Sequence, residues 1–167
     1  MPLNHQQQMS LAWLKELMAE KMPFEALLNE VVTHLRDSYP NYDWVGIYML
    51  EGDKLHLKAW DGPQATEHTV IPLDAGLCGL AATTGDTINV PDVKGDDRYL
   101  QCFASTRSEL VAPVQHEGKV YGEIDIDSDT AGAFDEGDER FANELCNLLG
   151  YRAAAEGRNY HEPQAPA

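Results

Sequence analysis

Apolar residues recur along this chain with two different periods. Between 23 and 37, Phe24, Leu27, Leu28, Val31, Val32 and Leu35 fall at i, i+3, i+4, i+7, i+8 and i+11, which predicts an amphipathic helix ended by Pro40 and Asn41. A looser stripe of Met9, Leu11, Trp13, Leu14, Leu17 and Met18 predicts another over 9–20. At Trp44 the period changes. Trp44 to Leu50 reads as a buried strand, Glu51-Gly52-Asp53 as a tight turn, and Lys54 to Trp60 as an alternating partner strand. Ser108–Gln115 and Val120–Asp127 repeat that hairpin around Glu117-Gly118-Lys119.

Shorter signals fill the space between the hairpins. Thr69 to Leu73 is extended, Leu77 to Ala82 is a short helix stopped by Gly85, and Thr87 to Val90 is a strand. Residues 91–106 form a long loop with few helix or strand signals, and long ordered loops often carry function. Asp135 opens a last helix bearing Phe141, Leu145, Cys146, Leu148 and Leu149. Helices at both ends of an antiparallel sheet make an α+β single domain. The expected division is a helical segment over 1–22, the domain over 23–155, and a disordered tail over 156–167.

Composition narrows the partners. Twenty-eight acids against twelve bases give a net charge of −16 over 167 residues, which repels phosphate backbones and anionic lipids. Nucleic acid and membrane surfaces are therefore not expected partners. No apolar run reaches the roughly 18–20 residues a membrane-spanning helix needs. The opening residues show no basic stretch leading into an apolar one, so the expected location is cytoplasmic. The three cysteines, Cys78, Cys102 and Cys146, have no Cys-x-x-Cys spacing, which argues against a thiolate zinc site.

Each cysteine has a bland and a reactive reading. Cys146 lies on the apolar face of the last helix and reads as core. Cys78 follows Asp74-Ala75-Gly76 near the start of the short helix, where backbone N–H groups favour a thiolate; equally, it packs under the sheet. Cys102 sits in the long loop between Arg98 and Arg107, a setting for a reactive thiol or for a buried loop residue.

Strand alternation places Glu123, Asp125 and Asp127 on one face, opposite Ile124 and Ile126, with Glu109 near the start of the neighbouring strand. Such a face is either solvated or a carboxylate cluster that receives a cation, whether a metal that prefers oxygen ligands or the ammonium of an amino acid. Trp44, Gly46 and Tyr48 share one face of the first strand, and Gly46 leaves space there for a ligand. His68 reads as a surface residue.

Taken together, Asp43-Trp44-Val45-Gly46-Ile47-Tyr48, Gly76-Leu77-Cys78-Gly79, Cys102 followed by Ser108-Glu109-Leu110-Val111, and Asp125-Ile126-Asp127-Ser128 resemble the free methionine-(R)-sulfoxide reductases, which are single-domain GAF proteins. The resemblance spans roughly residues 40–145. It implies reduction of free methionine sulfoxide in defence against oxidative stress, with no metal and no organic cofactor, and with thioredoxin restoring the thiols. Trp44 and Tyr48 would line the pocket, Glu109, Asp125 and Asp127 would hold the polar end of the substrate, and Cys102 and Cys78 would be redox cysteines. Cys102 is the expected attacking thiol and Cys78 its partner. A third cysteine of the family pattern falls here on His68, and the family's His-Ile-Ala-Cys-Asp reads Tyr99-Leu100-Gln101-Cys102-Phe103. The alternatives are a GAF sensor that binds a small molecule without turnover, and a metal site on Glu109, Asp125 and Asp127. A homodimer through the terminal helices stays an open expectation.

Overall fold

The helix and strand periods map onto ten elements in a computed structural model, which describes residues 2–163. In chain order they are α1 (His5–Ala19), α2 (Phe24–Ser38), β1 (Trp44–Glu51), β2 (Lys54–Asp61), β3 (Val70–Pro72), α3 (Gly76–Thr84), β4 (Ile88–Val90), β5 (Ser108–His116), β6 (Lys119–Ser128) and α4 (Glu136–Ala155). The six strands form one antiparallel sheet in the order β3-β2-β1-β6-β5-β4. The two hairpins thus meet at its centre, where β1 pairs with β6. No helix among the described residues is long and apolar enough to cross a membrane.

Several element ends have a local cause. α1 begins earlier than its apolar stripe because Asn4 and Gln7 form a capping box, which satisfies two backbone N–H groups. Asp135 and Asp138 do the same for α4. Gly85 ends α3 in the left-handed region at φ 74°, and the β5–β6 turn has Glu117 at 50° and Gly118 at 77°, the double positive φ of a type I′ hairpin.

The sheet separates two cores. Val45, Ile47, Met49, Leu110, Ala112, Val114, Ile124 and Ile126 meet α1, α2 and α4 in the larger one. Cys146 is fully buried there, as its place on the helix face predicts. Ser10 is a polar rivet in this layer: its Oγ lies 2.8 Å from both His34 Nε2 and Tyr39 Oη, tying α1 to α2. Met9, by contrast, is exposed and plays no part in the stripe assigned to it. On the opposite face, Trp44, Tyr48, Leu50, Ile71, Val111 and Val120 pack under α3 and the 91–106 loop. The stretch from 156, expected to lack structure, carries a β-bridge between His161 and Val120 with two 2.8 Å backbone hydrogen bonds. Residues 164–167 of that expected tail lie outside the described residues.

Candidate active site

Strand register assembles three rows across the smaller core. Trp44 of β1 lies opposite Asp127 of β6, which lies opposite Glu109 of β5. The next row joins Gly46, Asp125 and Val111, and the third joins Tyr48, Glu123 and Pro113. Four carboxyl groups therefore stand together beneath α3. They are not a solvated face: Glu109 is 4% exposed, Glu123 0%, Asp125 1% and Asp127 2%.

Four buried negative charges without a cation would repel and would lack solvation. Burial accordingly pushes Glu109, Glu123 and Asp127 well above the usual carboxyl range, with the charge of Asp125 adding to it. Asp125 is also raised by burial, but Glu109, Asp127 and the Cys78 thiol hydrogen-bond to it and hold it lower than its neighbours. It is the central acceptor. Were all the acids ionised, Glu109 Oε2, both oxygens of Glu123, Asp125 Oδ1 and Asp127 Oδ1 would have no donor among the described residues. Protons shared around the Asp125 acceptor satisfy this arrangement better than four charges.

The thiols share this environment. Cys78 Sγ and one oxygen each of Glu109 and Asp125 lie within 4.8 Å of one another, the group among the described residues most able to hold a metal ion. Cys78 is buried, and desolvation with the charges of Asp125, Glu123 and Glu109 drives its pKa well up. Of the two readings of Cys78, packing beneath the sheet is the one the burial favours: burial and three nearby acids outweigh one short helix end. Cys102 is half-buried, and burial together with Asp125 and Asp127 pushes it up to about 12. The flanking cations do not help it. Arg98 pairs with Asp96 at 2.7 Å and Arg107 with Asp92 at 3.2 Å. Only the Thr66 hydroxyl, beside the sulfur, acts in the opposite direction.

Cys78, Cys102, Glu109 and Asp125 line one cavity of about 10 Å³, roofed by Leu100. Both cysteines are free. Leu100 packs so tightly on Gly76 that a Cβ at 76 would lie 2.9 Å from the leucine Cβ. A second cavity of about 20 Å³ lies beside Trp44, Phe103 and Asp127. Each is near the size of one water. A surface groove of about 520 Å³ over Leu80, Ile88 and Arg98 contains none of the acids or thiols.

The aromatic wall differs from its expected form. The space beside Gly46 is filled by the indole of Trp44 itself, which also covers Gly62: a Cβ would lie 2.3 Å from the ring at 46 and 2.2 Å at 62. Trp44 Nε1 donates to the Gln64 carbonyl at 3.2 Å, and Phe103 tilts against the ring with centroids 5.6 Å apart. Tyr48 is fully buried and donates its hydroxyl to the His68 carbonyl at 2.7 Å.

A sequence profile described as the GAF domain matches residues 23–152 of this chain. The chain belongs to the GAF domain family. Among relatives of this GAF domain, the free methionine-R-sulfoxide reductase of Escherichia coli K12 is 33% identical over 133 residues, covering 80% of this chain and 79% of that one. The type II free methionine-R-sulfoxide reductase of Thermoplasma acidophilum superposes with a TM-score of 0.74 at 41% identity, covering 83% of this chain and 93% of that one. The Neisseria meningitidis enzyme, solved in complex with its substrate, superposes at 0.83 with 29% identity, covering 94% and 95%.

Within this GAF domain the seven residues singled out from sequence converge: Trp44, Tyr48, Cys78, Cys102, Glu109, Asp125 and Asp127 all border the one buried region. Strand alternation puts Glu123 on the acid face without marking it as a site residue, yet it is as buried as the other acids and lies opposite Tyr48. Phe103, Thr66 and His68 carried no local signal. Their part comes from loops brought together in space.

Proposed function

We propose that this GAF domain reduces free L-methionine-(R)-sulfoxide to L-methionine. The observation that carries the reading is one small cavity lined by two free thiols and by buried carboxyl groups whose pKa values are raised. A sulfoxide needs both a sulfur nucleophile and an acid at its oxygen. Relatives that bear the reductase name support the substrate class.

Cys102 is the attacking thiol in this scheme, since it is the less buried of the pair and lies on the loop that must move to admit substrate. The substrate ammonium enters the carboxylate cluster. Burial and the Asp125 charge hold the Cys102 pKa high, and the substrate's positive charge offsets the second of these, so binding itself favours the thiolate. Cys102 sulfur attacks the sulfoxide sulfur while a protonated acid of the cluster protonates the oxygen. The oxygen passes to cysteine: thiol plus sulfoxide become sulfenic acid plus thioether, a two-electron exchange. Cys78 then displaces the hydroxyl as water to give a disulfide, and thioredoxin reduces that disulfide by thiol exchange. Neither a metal nor an organic cofactor enters the scheme.

The test is NADPH oxidation by the protein with thioredoxin and thioredoxin reductase, offered free methionine-(R)-sulfoxide and, separately, the (S) epimer. Turnover of the (R) form alone is expected. Absence of both turnover and a single equivalent of methionine would overturn the reading in favour of a ligand-binding GAF sensor.

A further inference from the structure

The position that the family resemblance assigns to a third cysteine is occupied by His68, and the structure gives this residue three hydrogen bonds, each leading to the site. Its carbonyl accepts from Tyr48 Oη at 2.7 Å. Its backbone N–H donates to Thr66 Oγ1 at 3.1 Å, and the Thr66 hydroxyl in turn lowers the Cys102 pKa. Its ring Nε2 lies 3.0 Å from the carbonyl of Gln101, the residue that precedes Cys102. A carbonyl can only accept, so Nε2 carries a proton in this contact. The histidine is half-buried, against the loop that carries Cys102.

Two of these bonds use the backbone of residue 68 and would survive a change of side chain. The third depends on the imidazole alone. It ties the segment after β2 to the loop that carries Cys102 and Leu100, and that loop borders the cavity.

We propose that His68 is a positioning residue for Cys102: its imidazole clamps the Gln101 carbonyl and so sets both the place of the thiol and the opening of the loop over the site. The proposal rests on the reductase reading for its effect on turnover, but the clamp itself does not.

The experiment compares the wild type with His68→Ala, His68→Asn and His68→Gln. Glutamine can present an amide N–H near the place of Nε2, whereas asparagine reaches only as far as Nδ1. The first measurement is the rate at which a small aromatic disulfide labels Cys102 in the folded protein, with Cys78 and Cys146 buried. Loss of one hydrogen bond predicts labelling about fivefold faster in the alanine and asparagine variants, with the glutamine variant near wild type. The second is the division between kcat and KM for free methionine-(R)-sulfoxide. The fall is expected in kcat, because Trp44 and the acids that hold the substrate are untouched, and glutamine should restore it.

Labelling unchanged in both alanine and asparagine variants, or glutamine no slower than alanine, would overturn the clamp. A wild type without turnover would instead defeat the reductase reading, and the labelling rates would still decide the clamp. Thermal melts identify any variant that labels faster only because it unfolds; in that case the asparagine variant replaces alanine in the comparison.

Discussion

The indole of Trp44 lies against Gly46, two residues along the same strand, so closely that a Cβ at 46 would meet Cη2 at 2.3 Å. The glycine is therefore part of the tryptophan's seat and holds it where Asp127 and Phe103 border the same cavity.

Gly46→Ala should displace that ring. Overpacking of this kind costs about 1–3 kcal/mol, visible as a lower urea midpoint. In the reductase assay it should raise KM, because the wall of the pocket moves while the thiols do not. Unchanged stability and unchanged KM would show that the ring relocates without consequence.

Glu123 is fully buried, and neither of its oxygens has a partner outside the cluster. Burial and Asp125 raise its pKa, together with those of Glu109 and Asp127. The folded state thus binds more protons than the unfolded chain, whose carboxyls titrate near pH 4. The stability these protons contribute is full below about pH 4 and falls as pH rises toward the raised folded pKa values. Glu123→Gln keeps the shape and cannot ionise. It should stabilise the protein at pH 8 by on the order of 1–3 kcal/mol and flatten the decline. Urea unfolding at several pH values measures both, and a variant with an unaltered slope would count against Glu123 as a proton holder.

The Cys102 thiol, pushed up to about 12 by burial and by Asp125 and Asp127, should react slowly in the unliganded protein. Its alkylation rate should climb about tenfold per pH unit through the alkaline range, following the thiolate fraction. Asp125→Asn removes the larger of these charge effects and should make alkylation faster at a given pH. A plateau near pH 9 in the unaltered protein would contradict this.

The two cysteines should separate in single-turnover experiments. Cys102→Ser should form no methionine from free methionine-(R)-sulfoxide. Cys78→Ser should release one equivalent per protein and then stall as a sulfenic acid, which a dimedone-type reagent would trap. The opposite pattern would exchange their roles.

Much of the architecture was legible because it is local. A 3.6-residue period over 23–37 and a two-residue period over 120–127 define which side chains share a face without reference to the rest of the chain. For the same reason Glu123, Asp125 and Asp127 were grouped correctly, and Gly85 and Gly118 marked their turns. Whether the acid face meets water is not local information. It depends on α3 and the 91–106 loop closing over it, and that closure converts ordinary carboxylates into proton holders.

The loop was the least legible part. Arg98 and Arg107 stand near Cys102 in sequence, yet each is claimed by a closer acid, Asp96 or Asp92. His68 has no periodic neighbours to assign it a place, and its value comes from meeting Tyr48 and Gln101 in space.

Chain-local pattern specifies the helices, the hairpins and the shared face of the acids, and the motifs carry the resemblance that singles out Cys78 and Cys102. Tertiary structure alone decided that the acids are buried, that Trp44 fills the space at Gly46, and that both thiols are held protonated. The division follows from range. Backbone periodicity is set by neighbours along the chain, whereas solvation and Coulomb energy depend on everything that surrounds a group in space.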